Sequence, residues 1–407
     1  MKIGIDVSSI VYGVGVSNYT ENLVKSLLKI DHQNQYILFA SSLRQRKKLN
    51  EFKQSLKEFK NVEFKFLFLP PALLEILWNK LRLFPVDKIT GPVDIFHSWD
   101  WVQPPISNPE TKKISTIHDM VVYLFSSSVH PKILASQKRR LQLVKKEADL
   151  VLADSDTTKE DVVKFLEIPA DKIRVVYLGV SNSFHPQDED KVKNTLQKYK
   201  IKKPYILSVA TQEPRKNIQK LIDVYNKIKE NRRDLSLVLV GKYGWGENLT
   251  KTTEEEENIK VTGFIPKEDL INLYSGCRVF AYPSLYEGFG LPILEAMACG
   301  APTITSNNSS MAEIARDAAI LVDPRSETQI TKAVEMVLDL KLEDYQKMVN
   351  ASLNRARQYS WAKTAKQTLE IYREVVGQQT KNYDRQEAKR KEEKVKPAAQ
   401  PLKELSI

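Results

Sequence analysis

The sequence predicts an α/β protein built from two doubly wound parallel sheets, each in a domain of its own. In the first half of the chain, short apolar runs alternate with stretches of helical periodicity, which is typical of a parallel sheet covered by helices. Residues 186–203 are then polar and charged, as expected of a linker between domains. After them the alternation begins again, and a chain of 407 residues is too long for a single hydrophobic core.

The first domain is predicted over residues 1–185. Its runs of β-branched and aromatic residues predict strands, and its apolar residues at spacings of three and four predict helices. The predicted strands cover 2–7, 36–40, 62–68, 95–97, 114–117, 150–153 and 173–176, and the helices cover 16–29, 132–147 and 157–166. The strand over 2–7 favours a folded N-terminus over a signal peptide.

The second domain is predicted over residues 204–360. Its strands cover 205–210, 236–240, 279–282, 303–306 and 320–322, and its helices cover 217–229, 267–276, 292–298, 328–340 and 343–357. A further helix is predicted over 361–377, and the charged tail 378–407 is expected to be mostly disordered because it has few apolar residues. Open sheets of this kind bind ligands at the carboxyl ends of their strands.

Composition excludes several classes of protein. The hydrophobic fraction of 42% and the charged fraction of 28% are those of a globular protein in water, and no apolar run is long enough to cross a bilayer. The two cysteines, Cys277 and Cys299, provide no disulfide framework, and we expect both to be buried thiols in a reducing compartment. The sequence therefore predicts a cytoplasmic protein.

The chain is basic, with 62 lysines and arginines against 51 acidic residues and a net charge of +11. The basic residues are dispersed, and we find neither an aromatic-and-basic RNA-binding pattern nor a helix-turn-helix signature, so no nucleic acid is expected as a partner. Two explanations of the charge stay open, which are peripheral contact with an anionic membrane and ordinary solvated surfaces. Residues 69–81 predict an amphipathic helix, for which packing on the sheet is preferred over contact with lipid.

Glu287 and Glu295 are the most informative pair of residues in the chain. They stand eight residues apart, the first in a glycine-rich turn and the second in the helix that Pro292 opens. Gly288 and Gly290 allow backbone N–H groups to approach a ligand, and the start of a helix attracts anions such as a pyrophosphate. Eight residues are a little over two helical turns, so the two carboxylates can flank an object of the size of a nucleotide sugar.

The segment 283–302 resembles the Glu-x7-Glu signature of the family 4 glycosyltransferases, which are retaining enzymes of the two-Rossmann-domain architecture called GT-B. The resemblance implies two Rossmann-like domains that face each other across a cleft, with the helix 361–377 crossing back onto an N-terminal acceptor domain. It also implies a retaining hexosyltransferase that takes mannose or glucose from a nucleoside-diphosphate sugar of the GDP-mannose or UDP-glucose type, with a slight preference for mannose.

The acceptor implied by the resemblance is a glycan or a lipid-linked saccharide, used for polysaccharide or glycolipid synthesis on the cytoplasmic face of a membrane. Neither a metal nor a cofactor is implied. Two other interpretations stay open, a nucleotide-sugar epimerase on the same fold and a non-catalytic nucleotide-sugar binding protein. An epimerase would act without an acceptor, and a pure binder has less need of His118, Lys216 and the glutamate pair together.

By the same resemblance, Glu295 binds the ribose hydroxyls of the donor and Glu287 contacts its sugar. A carboxylate can accept hydrogen bonds from two vicinal hydroxyls, and Glu287 can also stabilise a developing oxocarbenium charge. The donor-binding residues expected around the pair are Gly15, Gly263, Phe264, Gly288, Phe289, Gly290 and Leu291. For the turn that contains Gly15 and for the segment of Gly263 and Phe264, an ordinary structural turn is an equal explanation.

Arg215 and Lys216 follow the predicted strand 205–210 and can provide cations for a departing diphosphate. An arginine can hold two phosphate oxygens, and a lysine adds a compact charge. The family commonly carries a further arginine a few residues earlier, where this chain has Ala210-Thr211-Gln212. Arg215 is the expected substitute, and both cations are predicted to be catalytic.

His118 lies at the end of the predicted strand 114–117. A lone histidine is more often structural than catalytic, but the resemblance makes this one the histidine that contacts the donor sugar near its anomeric carbon. Asp119 is expected to orient the ring or to cap the next turn. His118 is not expected to be a general base, because in this class the leaving phosphate oxygen is usually argued to accept the acceptor's proton.

Asp154-Ser155-Asp156 matches the Asp-x-Asp that binds a divalent metal in the other major transferase architecture, GT-A. Here it lies between a predicted strand, 150–153, and a predicted helix, 157–166. Capping of that helix explains the pattern. A helix cap is therefore preferred, and no metal site is predicted.

Overall fold

Two compact units make up the part of the chain that the structure describes. The computed structural model describes residues 1–13, 15–242 and 258–377. The first unit contains Met1–Gly179 together with the described residues from Ser360, and the second contains Val180–Tyr359. Each unit has one parallel sheet and the helices that connect its strands, so the predicted α/β fold class is confirmed.

Seven parallel strands form the sheet of the first unit, in the order β3-β2-β1-β4-β5-β6-β7. They are β1 (Lys2–Asp6), β2 (Gln35–Ser41), β3 (Val62–Leu67), β4 (Ile95–Ser98), β5 (Lys112–Ile117), β6 (Leu150–Ala153) and β7 (Ile173–Val175). Ile3 and Ile5 of the central strand β1 are fully buried, as in sheets that are covered on both faces. The strand order changes direction between β1 and β4, which places a crevice between their carboxyl ends.

Seven α-helices precede the last strand among the described residues of the first unit. They are α1 (Gly15–Ile30), α2 (Arg46–Ser55), α3 (Pro71–Leu74), α4 (Asp87–Thr90), α5 (Val121–Leu124), α6 (Pro131–Glu147) and α7 (Asp156–Leu166). The sequence did not predict α2, because this helix is strongly basic and buries only Leu49 and Phe52.

The segment predicted as an amphipathic helix over 69–81 is α3 followed by a π-helical turn, Glu75–Lys80. Leu74 and Trp78 pack in a core cluster of the first unit, so packing on the sheet is confirmed for one face. Apolar side chains also stay exposed in and beside this segment. They form what we call the apolar patch: Phe68, Leu73, Ile76, Leu81, Leu83 and Phe84.

Six parallel strands form the sheet of the second unit, in the order β10-β9-β8-β11-β12-β13. They are β8 (Tyr205–Val209), β9 (Ser236–Val240), β10 (Ile259–Gly263), β11 (Val279–Tyr282), β12 (Thr303–Ser306) and β13 (Ala319–Val322). The sequence did not predict β10 as a strand. In this edge strand Ile259 is buried and the other four residues are partly exposed, so the apolar pattern is weak.

The described helices of the second unit are α8 (Glu189–Tyr199), α9 (Ile218–Lys229), α10 (Lys267–Gly276), α11 (Leu291–Ala298), α12 (Ser309–Ala315), α13 (Glu327–Asp339) and α14 (Leu342–Ala356). Helix α8 lies within the stretch 186–203, which the sequence predicted as a linker. Val192 and Leu196 bury one narrow apolar stripe of α8, and Asn272 of α10 donates to Thr195 at 2.9 Å. The polar composition concealed a helix that packs on its neighbour.

The last described helix, α15 (Trp361–Val375), belongs to the first unit. Its Tyr372 hydroxyl lies 2.7 Å from Nδ1 of the buried His97 in β4, and the Thr364 hydroxyl donates to the carbonyl of Tyr177 at 2.8 Å. A side chain at Gly179 would clash with this helix, because a Cβ there would lie 2.1 Å from the Trp361 nitrogen. Helix α15 therefore completes the first unit, although it follows the second unit in the sequence.

The predicted disordered tail, 378–407, lies outside the described residues. Among the residues that are described, no helix is both long and apolar enough to cross a membrane.

Candidate functional site

The candidate site of the second unit lies at the carboxyl ends of β8 and β11. Arg215 and Lys216 form a short 3-10 helix after β8, Tyr282 ends β11, and Glu287 lies in the turn between β11 and α11. Ligands of open α/β sheets bind at this edge. The chain thus brings three of its four predicted catalytic residues together.

Glu287 is the centre of this group, and its side chain is nearly fully buried. The Lys216 ammonium donates to both carboxylate oxygens, at 2.7 and 2.9 Å, and one Arg215 nitrogen donates at 2.9 Å. The hydroxyls of Tyr282 and Ser284 donate at 2.9 and 2.6 Å. We call these five residues the donor cluster.

The donor cluster keeps Glu287 ionised. Burial alone would raise the pKa of this carboxyl, but the charges of Lys216 and Arg215, with the hydrogen bonds of Lys216 and Ser284, outweigh it and lower the pKa to about 2. Removal of one partner would leave an uncompensated buried charge, which is costly. The charges of Glu287, Lys216 and Arg215 therefore compensate one another.

Arg215 is enclosed by acceptors of the protein. Besides Glu287, its guanidinium donates to the carbonyl of Tyr286 at 2.6 Å and forms an ion pair with Glu213. The side chain is 13% exposed. The Lys216 side chain has the same exposure, 13%, but it pairs with a single carboxylate and also donates to the Tyr282 hydroxyl at 3.0 Å. The sequence predicted both cations, but it did not predict their pairing with the first glutamate of the signature.

The turn that carries Glu287 is held by α12, which the sequence did not predict. The Glu287 backbone N–H donates to the Ser309 hydroxyl at 3.3 Å, and the Ser310 hydroxyl donates to the carbonyls of Glu287 and Phe289 at 2.8 and 2.9 Å. Polar residues at the start of a helix directly after β12 were the signal that could have revealed these serines.

The predicted donor-binding residues 288–291 lead into α11. Gly290 has a φ of +100°, a conformation that favours glycine, and α11 begins at Leu291. Phe289 is buried, and its ring centroid lies 6.3 Å from that of Tyr359. The turn therefore brings backbone, rather than the phenylalanine ring, to the start of the helix, where anions bind.

Glu295 lies in the second turn of α11, and the Tyr274 hydroxyl donates to its carboxylate at 3.3 Å. Burial raises the pKa of Glu295 to about 7, against the opposing effects of Tyr274 and Lys267. Its carboxylate thus accepts fewer hydrogen bonds from the protein than that of Glu287. A half-buried carboxyl with few partners can accept hydrogen bonds from a ligand.

Gly263 and Phe264 lie at the end of the edge strand β10. The Gly263 carbonyl accepts from the Gly241 N–H at 3.0 Å, and a Cβ at Gly241 would lie 2.0 Å from the carbonyl oxygen of Ala210. The Phe264 ring is 68% exposed, with the Lys242 ammonium 5.4 Å from its centroid. An exposed ring beside closely packed backbone can stack on a planar base.

In the first unit, His118 follows β5 and contacts Asp154 from the end of β6. Its Nδ1 lies 2.7 Å from a carboxylate oxygen of Asp154. Burial would lower the pKa of His118, but the Asp154 carboxylate outweighs it and raises the pKa. Asp119 instead caps the next turn, accepting from the Val121 N–H at 3.0 Å. Asp154 is thus the residue that orients the ring.

The Asp-x-Asp pattern at residues 154–156 serves the first unit in other ways. The Ser155 hydroxyl accepts from the Thr158 N–H at 3.0 Å and caps α7, as expected. Among the described residues, no group of three or more histidine, cysteine, aspartate or glutamate side chains is arranged to hold a metal ion.

Gly15 is the first residue of α1, and a Cβ there would meet no atom within 4 Å. Its neighbour Val14 lies outside the described residues. The turn before it is fixed by Ser17, whose hydroxyl accepts from the Gly13 N–H at 2.8 Å and donates to the Ser9 carbonyl at 2.6 Å. Gly15 therefore has open space around it at the start of a long helix.

Comparison with known proteins assigns the chain to a family. Residues 188–355 match the family described as Glycosyl transferases group 1, and residues 14–184 match Glycosyltransferase Family 4. The O-antigen chain mannosyltransferase B of Escherichia coli is 33% identical over 270 residues, which cover 64% of this chain and 70% of that protein. The chain belongs to the family 4 glycosyltransferases.

Solved structures agree on the fold of this glycosyltransferase. Sucrose-phosphate synthase from Thermosynechococcus elongatus superposes with a TM-score of 0.69 at 18% identity, covering 92% of this chain and 99% of that one. Anabaena HepE, in complex with UDP and glucose, gives a TM-score of 0.66 at 16% identity, covering 91% and 99%. At such low identity these structures support the GT-B fold alone.

Proposed function

We propose that this glycosyltransferase is a retaining, metal-independent hexosyltransferase that forms an α-glycosidic bond. The observation that supports this most directly is the donor cluster, in which Lys216 and Arg215 are fixed around Glu287. Two protein cations at the carboxyl edge of the sheet can offset the charge of a departing diphosphate without a metal ion.

Each part of the second unit has a role in donor binding under this proposal. Lys216 and the backbone at the start of α11 hold the diphosphate. Glu295 accepts hydrogen bonds from the vicinal ribose hydroxyls, and the exposed ring of Phe264 stacks on the base. Glu287 lies beside the donor sugar, where its negative charge stabilises positive charge that develops at the anomeric carbon.

In the proposed reaction, the bond between the anomeric carbon and the diphosphate oxygen breaks, and its electron pair leaves with the diphosphate. The oxygen of the acceptor hydroxyl forms the new bond on the same face of that carbon. The acceptor's proton passes to the leaving phosphate oxygen, so no protein base is required. His118, oriented by Asp154, contacts the donor sugar.

Mannose is the proposed sugar, because the Escherichia coli relative is named as a mannosyltransferase, and glucose is the second choice. The proposed acceptor is a glycan or a lipid-linked saccharide at the cytoplasmic face of a membrane. The apolar patch supports peripheral contact, because basic side chains accompany it: the Arg46 guanidinium lies 4.0 Å from the ring centroid of Phe68. Apolar and basic groups together favour an anionic lipid surface.

Two measurements on the full chain test the proposal. Thermal shifts with UDP, GDP and ADP, with and without EDTA, identify the base, because a ligand of the native state raises the melting temperature. Labelled GDP-mannose and UDP-glucose are then supplied with octyl glycosides or lipid-linked saccharides, and NMR determines the anomeric configuration of the product. An α-linked product formed equally well in EDTA is expected. Loss of transfer in EDTA, a β-linked product, or epimerised donor without an acceptor would contradict the proposal.

A further inference from the structure

Four hydrogen-bonded side chains in the interior of the first unit have no role in the function proposed above. The hydroxyl of Tyr372 in α15 lies 2.7 Å from Nδ1 of His97 in β4. Nε2 of His97 lies 2.8 Å from the Thr116 hydroxyl in β5, and that hydroxyl lies 3.0 Å from the hydroxyl of Tyr19 in α1. All four side chains are buried. We call them the α15–α1 network, because they connect the last described helix of the unit to its first α-helix.

The hydrogen bonds of the α15–α1 network run in one direction. Burial lowers the pKa of His97 to about 3, so the ring is neutral, with one nitrogen that donates and one that accepts. Among the described residues, His97 is the hydrogen-bond partner of the fully buried Tyr372 hydroxyl. The proton of that hydroxyl therefore needs Nδ1 as its acceptor. Nε2 then carries the hydrogen of the ring and donates to Thr116, which donates to Tyr19.

The network ends at the ring of Tyr19, which packs on the ring of His118. The two ring centroids lie 4.6 Å apart, and the ring planes cross at 76°, an edge-to-face arrangement that aromatic rings prefer. The ring of Trp361, which also belongs to α15, has its centroid 6.2 Å from that of Tyr19. Helix α15 thus holds Tyr19 through a direct ring contact and through the hydrogen bonds.

A core that needed only volume would contain apolar side chains at these positions. Burial of a hydroxyl or an imidazole costs free energy, which its hydrogen bonds offset. A buried network whose members are all bonded restricts them to one arrangement. Thr116 also stands two residues before His118, so the network is fixed to the strand that leads to this histidine. The arrangement therefore suits the orientation of a side chain better than the filling of space.

We propose that Tyr19 is a positioning residue for His118, and that the rest of the α15–α1 network holds Tyr19 in place. The catalytic part of this inference rests on the proposed function, in which His118 contacts the donor sugar. Nε2 of His118 is buried and has no hydrogen-bond partner among the described residues, so this atom can contact the sugar. Asp154 holds the ring at Nδ1 alone. The contact with Tyr19 restricts rotation about that hydrogen bond and keeps Nε2 in one position.

The test compares Tyr19→Phe and Tyr372→Phe with Tyr205→Phe in the full chain. Each change removes one buried hydroxyl and keeps the ring. Tyr205 is the matched control because it is fully buried in the second unit, where its hydroxyl donates to the Leu273 carbonyl at 2.7 Å.

Two kinds of measurement are made on each protein. Long-range proton–nitrogen NMR spectra report the tautomer and the surroundings of each histidine ring, and the chain has five histidines, which single substitutions assign. The kcat for hexose transfer and the rise of the melting temperature with UDP or GDP are measured beside the spectra. The spectra need neither donor nor acceptor, so they test the position of His118 independently of the proposed function.

We expect wild-type His97 to be the tautomer with its hydrogen on Nε2. Tyr19→Phe and Tyr372→Phe should both move the ring signals of His118 more than those of the three histidines outside this region. Their kcat should fall about threefold to 10-fold, the scale for one hydrogen bond between neutral groups, while the nucleotide-induced rise of the melting temperature stays as in wild type. In Tyr205→Phe, neither the His118 signals nor kcat should change.

Three outcomes overturn the inference. The first is a set of His118 signals that stays unchanged in both variants. The second is a shift of these signals with an unchanged kcat, because the position of the ring would then not matter for transfer. The third is an equal fall of kcat in Tyr205→Phe, since the loss would then follow from the removal of any buried hydroxyl. If wild type transfers no hexose, the proposed function fails, whereas shifted His118 signals still support the position assigned to Tyr19.

Discussion

Glu287 and Glu295 differ in how far the protein itself satisfies their carboxylates. Glu287 has two cations and two hydroxyls around one carboxylate. Among the described residues, the Glu295 carboxylate accepts from one side chain, the Tyr274 hydroxyl at 3.3 Å. The first arrangement is preorganised, which suits electrostatic stabilisation of a transition state. The second is incomplete, which suits recognition of a hydroxylated ligand.

The largest effect is expected from Glu287→Gln. The change removes the negative charge beside the donor sugar and leaves Lys216 and Arg215 without their common partner. Turnover should fall about 100-fold or more, the scale for loss of one electrostatic stabiliser, while nucleotide affinity stays close to wild type. Measurement of kcat and of the Kd for the preferred nucleoside diphosphate checks this. Glu268→Gln, an exposed change in the same unit, is the control, and unchanged turnover in Glu287→Gln would remove the role assigned to this residue.

The two cations should differ from each other, since Arg215 contacts two carboxylates and a carbonyl of the protein, whereas Lys216 contacts one carboxylate. Lys216→Met is expected to weaken binding of UDP or GDP about 10-fold to 100-fold through loss of a charge-assisted hydrogen bond. Arg215→Met is expected to lower kcat more than it weakens nucleotide binding, because it displaces Glu287. Calorimetric titration beside steady-state kinetics separates the two effects. Equal losses of affinity would show that Arg215 also binds phosphate.

A smaller effect on stability is expected when the pH changes, because the Glu295 carboxyl titrates. Its folded pKa of about 7 lies above the usual 4.5, so the stability that its neutral form contributes is present below pH 4.5 and is lost as the pH rises through 7. Without a ligand, the melting temperature of wild type should therefore fall relative to that of Glu295→Gln between pH 5 and pH 8.

Ligand binding should show the opposite trend, since the ionised Glu295 is the better acceptor for ribose hydroxyls. Affinity for the preferred nucleoside should rise about threefold to 10-fold from pH 6 to pH 8 in wild type and stay flat in Glu295→Gln. Nucleosides are used because phosphate groups titrate in the same range. A pH profile that is the same in both proteins would exclude Glu295 from ribose binding.

The smallest effect concerns the apolar patch rather than either glutamate. Ile76→Ser is expected to leave the melting temperature almost unchanged, because the side chain is 40% exposed. Binding to vesicles with anionic lipid should weaken about fivefold, since partial burial of an isoleucine contributes about 1 kcal/mol. Co-sedimentation measures this, with neutral vesicles and the exposed variant Met336→Ser, in α13 of the second unit, as controls. Equal binding of all proteins would argue against membrane contact through the patch.

The sequence predicted the glutamate pair better than the contacts of Glu287 for a physical reason. Glu287 and Glu295 are close in the chain, and their spacing and glycines are visible in one short segment. Arg215 and Lys216 follow a different strand, β8, and only the strand order, in which β8 lies beside β11, brings them to Glu287. The same reason explains why Asp154 rather than Asp119 orients His118, since the residue next in sequence lies on the following turn.

Strands were predicted more accurately than polar helices. The inner strands β9 and β11 are nearly continuous apolar runs that are buried on both faces, so their boundaries stand out. Helices α2 and α8 bury only a narrow stripe, and their charged faces resemble those of a linker. Local composition thus identifies core elements well and surface elements poorly.

The position of α15 has a consequence for synthesis on the ribosome. The first unit buries Trp361 and Tyr372, and Tyr372 is the partner of His97, so this unit lacks part of its core until the last helix has been translated. The second unit is contiguous in sequence and can be complete earlier. We therefore expect the N-terminal unit to finish folding last, although its first strand is made first, and we expect nascent chains that stop before Trp361 to expose the surface that α15 covers.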